Sequence, residues 1–312
     1  MINQSERKVA VLIPCRNEEA TISAVVSEFS ENLPDATIYV YDNDSSDRTV
    51  ELSRESGAKV GFESLPGKGN VVRRMFADIE ADIYLIVDGD DTYDSAQAPV
   101  MIKQLIEEDL DMVVGVRTFS TESQARRGHN FGNRLFNRLY KSLFGSEFSD
   151  ILSGYRVFSR RFVKSFPGVT SGFEVETEIS VHASQLGLPI AEVPVTYRSR
   201  PEGSHSKLRT INDGCRILKA MLVLLKENRP LLMFGCLSAV SYIAAVSLGL
   251  PVVVDFAQTG LVPKLPTAVL ATGLALLGLL FTATGLILHS IAKGRIEMKR
   301  LAYLSCFRSS HI

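Results

Sequence analysis

The sequence predicts an α/β domain with a largely parallel sheet, followed by a hairpin of two membrane-spanning helices. Short apolar runs alternate with helix-patterned stretches between residues 9 and 197. That alternation is the pattern of strands joined by crossover helices that cover both faces of a sheet. The turns closing VAVLIP, TIYVY, IYLIV and MVVGV collect Asp, Asn, Ser and Arg, and in such sheets ligands bind beyond the carboxyl ends of the strands. Residues 230–254 and 265–292 hold no Asp, Glu, Lys or Arg. Each run is long enough to cross a hydrocarbon core of ~30 Å at ~1.5 Å per residue.

Residues 9–14 (VAVLIP) are a short apolar run ending in Pro, which suits a buried strand. Residues 18–32 place Ile22, Val25, Val26 and Phe29 at helical spacing. TIYVY at 37–41 predicts a second strand, and the helix over 48–56 stops at Gly57. Residues 59–62 predict a brief strand and 69–79 a helix behind a Gly-rich loop. IYLIV at 83–87 and MVVGV at 112–116 read as strands on either side of a helix at 98–107. From 124 to 148 the pattern is helical and basic, with Phe131, Leu135, Leu139 and Leu143 as its apolar stripe. A further segment at 151–158, a helix around 174–186 and a strand near 190–197 complete the domain.

The domain is expected to occupy 1–207 and an amphipathic juxtamembrane helix 208–229. Two membrane helices fall within 230–292, and a basic tail covers 293–312. Lys226 and Arg229 precede the first apolar run, and Lys293, Arg295, Lys299 and Arg300 follow the second, while the link at 255–264 has one acid and one base. The positive-inside rule then places both termini and the α/β domain on the cytoplasmic face of the inner membrane, as a multi-pass protein. No cleavable signal is expected ahead of the first strand. Gly273, Gly278 and Gly285 suggest packing with further copies of the chain, a homo-oligomer. Cys15, Cys215, Cys236 and Cys306 are scattered with no C-x-x-C pair, which argues against a disulfide framework or zinc site. A formal net charge of -1 offers nucleic acid no attractive field.

Asp88-Gly89-Asp90-Asp91 directly follows IYLIV. Carboxylates this close suit a hard divalent cation, Mg²⁺ or Mn²⁺, which can bridge a diphosphate and neutralise it as it leaves. Alone, the cluster also reads as an ordinary solvated turn. A second acidic turn, Asp42-Asn43-Asp44-Ser45-Ser46-Asp47, follows TIYVY. Its carboxylates can accept hydrogen bonds from ribose hydroxyls or a base N–H, and Asp47 can instead cap the next helix. Pro66-Gly67-Lys68-Gly69-Asn70 resembles a phosphate loop but fails G-x-x-x-x-G-K-[ST] in spacing and in its last residue. What is left is a Lys near a helix N-terminus, able to contact a nucleotide or its phosphates. Arg117, Arg126, Arg127, Arg156, Arg198, Arg200 and Lys207 add cations to the later half. Guanidinium groups grip phosphate bidentately, and beside a membrane tail the set suggests an anionic lipid headgroup. Any one of these arginines taken singly is better explained as part of a solvated face.

Taken in order, Ile13-Pro14-Cys15-Arg16-Asn17-Glu18, the turn at 42–49, residues 66–70, Asp88 to Asp90, Gly115-Val116-Arg117, DILSGYRVF at 150–158, residues 172–178 and RPEGSHSK at 200–207 form a specific constellation. With it the chain resembles family 2 glycosyltransferases of the polyprenyl-phosphate type, the dolichol-phosphate mannosyltransferase and undecaprenyl-phosphate glucosyltransferase group. The apolar hairpin is similar to that of the bacterial members. The resemblance implies a GT-A fold and inverting transfer of a hexose from a nucleotide-diphosphate sugar to polyprenyl phosphate. It implies that Pro14, Asn17, Glu18, Asp42 and Asp44 line the nucleotide, with Lys68 beside them, and that Asp88 and Asp90 hold the metal and diphosphate. Arg117, Arg127, Ser153 and Arg200 would gather the phosphates, with Arg126 and Lys207 on the acceptor side. By the same analogy UDP-glucose is the first donor expected and GDP-mannose the second. The family turn often reads D-D-G-S, where this chain has Asp42-Asn43-Asp44-Ser45, and Asp91 extends the usual D-x-D.

A phosphate monoester, with a second pKa near ~6, is already a nucleophile at neutral pH. Catalysis is then expected to be alignment plus charge stabilisation, with Asp150 as the one base candidate. A processive transferase would prefer a Q-x-x-R-W motif, and the chain has no Trp. An inactive nucleotide-binding membrane scaffold is the alternative from another class, and Asp88, Asp90 and Arg200 argue against it.

Overall fold

The computed structural model describes residues 7–119, 148–172, 174–198, 223, 225–227 and 229–306. The basic helix expected at 124–148 and the candidate residues Arg126, Arg127, Arg200 and Lys207 lie outside the described residues, as does most of the expected juxtamembrane helix. The chain forms two compact units, Met1–Gly214 with Lys299–Ile312, and Cys215–Met298.

In the first unit, strands β1 (Val9–Cys15), β2 (Thr37–Asp42), β3 (Lys59–Phe62) and β4 (Ile83–Ile86) are joined by α1 (Ile22–Asn32), α2 (Thr49–Glu55) and α3 (Lys68–Asp78). Helix α4 (Ala98–Glu107) leads to β5 (Met112–Phe119), and β6 (Arg156–Ser159) runs into α5 (Arg160–Ser165). Helix α6 (Val175–Leu186) and β7 (Ile190–Tyr197) follow. The seven strands order as β3-β2-β1-β4-β6-β5-β7. β6 alone is antiparallel to its neighbours; the other pairings are parallel. The carboxyl ends of β1, β2, β4 and β5 therefore share one rim, and the turn entering β6 starts from that same rim. The segment expected at 151–158 is strand only from Arg156; before it, residues 150–154 turn, with Ser153 N–H reaching the Asp150 carbonyl at 3.5 Å.

Apolar residues alternate faces along the strands, as a period of two requires. Val11, Ile13 and Cys15 of β1 join Ile22, Val25, Val26 and Phe29 of α1 in one core layer with Met101 and Leu105 of α4. On the opposite side Phe76, Tyr84, Phe158, Phe162 and Phe166 form a chain of edge-on and tilted rings. Ser159 caps α5 by accepting the Phe162 N–H at 3.1 Å, and Gly187 (φ 64) closes α6 in the left-handed region.

His182 of α6 is fully buried against Phe162 and Phe166, with Nε2 3.1 Å from Ser165 Oγ and Nδ1 without a partner. Burial, then the nearby charge of Lys299, pushes its pKa down to about 3. The imidazole is thus neutral in the fold, and as pH falls the unfolded chain takes the proton first. Its stability contribution is whole above the ordinary value of about 6.5 and declines below it, by up to ~1.4 kcal/mol per pH unit. Denaturation midpoints should fall between about pH 6.5 and 5 in the native protein, and His182→Gln should flatten that slope.

Lys299 and Tyr303, at the far end of the last helix, belong to this same unit. Tyr303 donates its hydroxyl to Asp111 Oδ2 at 2.7 Å, and Lys299 donates to Gln185 Oε1 at 3.0 Å. Asp111 is wholly buried and also accepts from Ser159 Oγ and from the Arg161 guanidinium, which lies 5.2 Å from the Tyr303 ring centre.

The second unit holds α7 (Pro230–Thr259) and α8 (Leu265–Ser305) as far as Met298, and each helix is long and apolar enough to cross a membrane by length and composition. Both outrun the expected spans. α7 continues to Gly260, whose φ of 69° ends it, so the link shortens. The expected basic tail is helical through Ser305, because 293–305 is rich in strong helix formers. Ala271, Gly278, Gly285 and Ala292 are the buried residues of α8 and recur every seven positions, a seam for a neighbouring helix. Ser238 of α7 donates to the Gly278 carbonyl at 2.9 Å and lies 2.7 Å from Thr282 Oγ.

Two of the glycines expected to meet other copies are used inside the hairpin. A Cβ on Gly278 would lie 3.1 Å from the Tyr242 ring, and one on Gly285 would lie 3.1 Å from Phe234 Cβ, while Gly273 has nothing within 4 Å. Gly278→Leu is therefore expected to cost ~1–3 kcal/mol through overpacking and to lower the melting temperature in detergent. Gly273→Leu should stay within ~0.5 kcal/mol of the parent.

Candidate functional site

The rim of the sheet gathers the acidic turns. β1 lies between β2 and β4, pairing Cys15 with Asp42 and Leu12 with Ile86, so the turns after β2 and β4 flank the turn after β1. The β1 and β2 turns are stitched together. Asn17, at φ 52, donates its N–H to Ser45 Oγ (2.8 Å) and accepts the Ser46 N–H on Oδ1 (2.8 Å). The Glu18 N–H goes to Thr49 Oγ1 at 2.8 Å. Asp47 accepts the Thr49 N–H at 3.0 Å and the Glu19 N–H at 3.2 Å. Burial tends to raise its carboxyl, but the Thr49 hydroxyl, which also donates to it, and these N–H groups outweigh burial and hold the group below its usual range. Asn17 and Asp47 thus shape the turns; the cap position of α2 is Arg48, with no side-chain cap hydrogen bond, and Asp47 lies one residue ahead of it. Pro14, the residue before the last of β1, is half-buried, and Asp44 is exposed, at φ 61.

Asp42 is the residue of this turn that points to a ligand. It is buried, Oδ2 accepts the Ser45 N–H at 3.1 Å, and Oδ1 has no hydrogen-bond partner. A buried carboxylate oxygen left unpaired is costly, so such an atom marks either a fault or a waiting donor. Asn43, beside it, holds the next loop: its amide donates to the Glu63 and Leu65 carbonyls and accepts the Gly67 N–H.

Lys68 was expected near a helix N-terminus able to contact a nucleotide or its phosphates, and the Gly69 and Asn70 N–H groups there are otherwise engaged. The Gly69 N–H donates to the Ser171 and Gly172 carbonyls at 3.0 and 3.1 Å. A Cβ on Gly67 or Gly69 would collide with the backbone of Ser171 or Thr170, so this approach demands glycine. The facing loop is itself held by Glu178, which accepts the Val169 and Thr170 N–H groups at 2.9 Å each. The Lys68 side chain turns inward, with Nζ 2.5 Å from Asp88 Oδ1 and 2.5 Å from Glu176 Oε1. Its ammonium is pushed up despite burial, because both carboxylates favour the charged form.

Asp88 packs against Gly154, where a Cβ would sit 2.5 Å from its Oδ2. Asp90 is buried and accepts the Thr92 hydroxyl at 2.6 Å, and the Thr21 hydroxyl anchors the loop through the Gly89 carbonyl at 2.6 Å. Among the described residues no group of three or more His, Cys, Asp or Glu is arranged for a metal. Two carboxylates nevertheless fit a hard cation whose other ligands are diphosphate oxygens and water, the usual manner of Mg²⁺ at nucleotide sites. Burial, then Glu28, pushes the Asp91 carboxyl up.

Among the described residues, the cations of the later half, Arg117, Arg156 and Arg198, are less available than the sequence suggested. Arg117 is locked to Asp150, with Nε to Oδ2 and Nη2 to Oδ1 both at 2.7 Å, and lies 5.6 Å from the Tyr197 ring centre. Burial opposes ionisation of Asp150, but the Arg117 hydrogen bonds and charge prevail and hold the carboxyl below its ordinary value. A carboxylate held that low is a weak base, so Asp150 is better suited to orient Arg117 than to take a proton. Arg156 is buried and donates to the Ser153 and Ile151 carbonyls and to Ser180 Oγ. Arg198 pairs with Glu28 and Asp94. Ser153, expected to touch phosphate, is fully buried and donates its hydroxyl to the Gly115 carbonyl at 2.5 Å, which leaves no proton for a ligand. Its place is structural, under the turn that carries Gly154. Glu176 is the site residue that residue-by-residue reasoning missed; it lies inside the 172–178 motif, and its link to Lys68 spans 108 positions.

Comparison with known proteins shows the family and the fold. Residues 10–166 match Glycosyl transferase family 2. Glycosyltransferase AglJ of Haloferax volcanii is 36% identical over 250 residues, covering 80% of this chain and 81% of its own length. A dolichyl-phosphate hexose transferase of the same organism is 28% identical, covering 71% of this chain and 95% of its own. The fold matches glucosyl-3-phosphoglycerate synthase from Mycobacterium tuberculosis, solved with Mn²⁺, uridine diphosphate and glucosyl-3-phosphoglycerate. That likeness has a TM-score of 0.58 at 24% identity, over 70% of this chain and 80% of the other.

Proposed function

Since the chain belongs to glycosyl transferase family 2, we propose that it transfers a hexose from a uridine diphosphate sugar to polyprenyl phosphate, with inversion, at the cytoplasmic face of the membrane that its hairpin crosses. The observation that carries the donor half is Asp42. One of its oxygens is taken by the Ser45 N–H and the other is buried and vacant. Uracil presents a single N–H between two carbonyls, which matches one vacant acceptor. Guanine presents N–H donors on both N1 and N2, which a carboxylate meets best with both oxygens.

Asp88 and Asp90 would hold Mg²⁺ or Mn²⁺ with the diphosphate, and the cation would supply charge neutralisation of the leaving group. Lys68 adds a second positive charge beside Asp88. Asp150 keeps Arg117 oriented at the rim, and Arg126, Arg127, Arg200 and Lys207 are assigned to the acceptor phosphate on the resemblance alone. A dianionic acceptor needs alignment more than a base. The dolichyl-phosphate hexose transferase relative and the two apolar helices support a lipid acceptor.

The test is transfer of radiolabel from UDP-glucose and, separately, GDP-mannose into organic-extractable lipid, using purified protein, Mn²⁺ and undecaprenyl phosphate. Label from the uridine donor, lost on chelation, is the expected result. Label only from the guanosine donor would refute the Asp42 argument, and label only in water-soluble glycan would refute the acceptor.

A further inference from the structure

The lysine of the site is held by two carboxylates of unequal standing. Lys68 Nζ is 2.5 Å from both Asp88 and Glu176, with side-chain exposures of 11% for Lys68, 30% for Asp88 and 9% for Glu176. Glu176 is the deep partner. It sits in the first turn of α6, whose start is tied through Glu178 to the loop that supports Gly69. Asp88 is the outer partner, at the rim and two residues from Asp90. One ammonium between two carboxylates leaves the cluster a net negative charge, and Glu176 Oε2 is buried with no hydrogen-bond partner. The Gly69 and Asn70 N–H groups at the start of α3 are spent on Gly67, Ser171 and Gly172, and the Lys68 ammonium is the charged group of this loop able to meet a diphosphate.

We propose that Lys68 is an exchangeable internal counter-cation: Glu176 keeps hold of its ammonium while Asp88 releases it to the incoming divalent cation, and the freed side of the ammonium turns to the diphosphate. Glu176 is then a positioning residue for the donor, acting only through Lys68. The inference rests on the rim being a nucleotide-diphosphate site. Without nucleotide, Lys68 and the cation compete for Asp88; with nucleotide, they act together on the phosphates.

This has a signature that charge alone does not. Glu176→Gln removes a negative charge from an anion site, so a simple field effect tightens UDP. Under the exchange, Lys68 loses its inner anchor and settles on Asp88, and UDP binding weakens. The experiment is calorimetric titration of the full-length protein in detergent with Mn²⁺ alone and with UDP at saturating Mn²⁺. Lys68→Gln should bind Mn²⁺ alone roughly tenfold more tightly and UDP roughly tenfold more weakly. Glu176→Gln should bind both roughly tenfold more weakly. The double variant should bind UDP no worse than Lys68→Gln, since Glu176 has no separate effect to lose. UDP binding by Glu176→Gln that is unchanged or tighter, or additive losses in the double variant, overturns the proposal. If Glu176→Gln does not fold, the double variant, which removes both charges, still decides. Failure of the native protein to bind UDP with Mn²⁺ would bring down the site reading itself, a result distinct from a native protein that binds while the variants disobey.

Discussion

Asp90→Asn is expected to lower hexose transfer by ~10²–10³-fold while the protein keeps its melting temperature. The substitution is conservative in shape and changes one property. Asp90 is buried and accepts the Thr92 hydroxyl, a contact the amide oxygen of Asn can also make. The loop is further held by Thr21 on the Gly89 carbonyl, so the turn should persist. What is lost is a negative charge next to Asp88, and with it the affinity for a cation that must neutralise a leaving diphosphate. The measurement is turnover with UDP-glucose at saturating Mn²⁺ beside a thermal melt. Near-normal turnover with an unchanged melt would falsify the diphosphate role of this turn.

Asp150→Ala should have the largest effect on stability. The Arg117–Asp150 pair is bidentate, with side-chain exposures of 17% and 9%. A buried pair adds little net stability, but breaking it strands the survivor, typically at a cost of ~3–5 kcal/mol. For a domain of this size that lowers the melting temperature by roughly 10 °C. The apolar replacement Arg117→Met with Asp150→Leu should recover most of the loss and none of the activity, because it removes the stranded charge along with the guanidinium. The pH dependence has a defined sign. The Asp150 carboxyl lies below its unfolded value of about 3.9. Its contribution is therefore present above that pH and is lost as pH falls through the lower, folded value. Near neutrality it should be silent, which separates it from His182, whose effect begins at about 6.5. An activity profile with a limb assignable to Asp150 near neutral pH would restore it as a base.

Much of the sheet was legible because its signals are local. VAVLIP, TIYVY and IYLIV are apolar runs of strand length closed by turn residues, and they appear as β1, β2 and β4 within a residue or two of the expected ends. The helix at 98–107 is observed at those limits. The segment at 151–158 was harder, since Ile151 and Tyr155 are buried without being strand; the turn they occupy is held by Arg156, a side chain that reaches back to the Ile151 and Ser153 carbonyls. The ends of the apolar helices were misplaced for a related reason. Charge marks where a helix can leave the lipid, but the helix itself stops only where its backbone does, at Gly260 in one case and beyond Tyr303 in the other.

The order of chemical motifs along the chain, the two apolar spans and the acidic strand ends follow from composition and spacing, since period, turn chemistry and hydropathy act over a few neighbouring residues. The partners of each charge were decided by folding alone. Lys68 meets Glu176 across 108 positions and Arg117 meets Asp150 across 33, and in both cases the sheet order brings distant turns to one rim. The strength of such a contact depends on burial and on the other groups within a few ångströms. For that reason a serine that looked like a phosphate ligand became a buried strut, while a glutamate inside a motif but with no role assigned from the sequence took hold of the site's lysine.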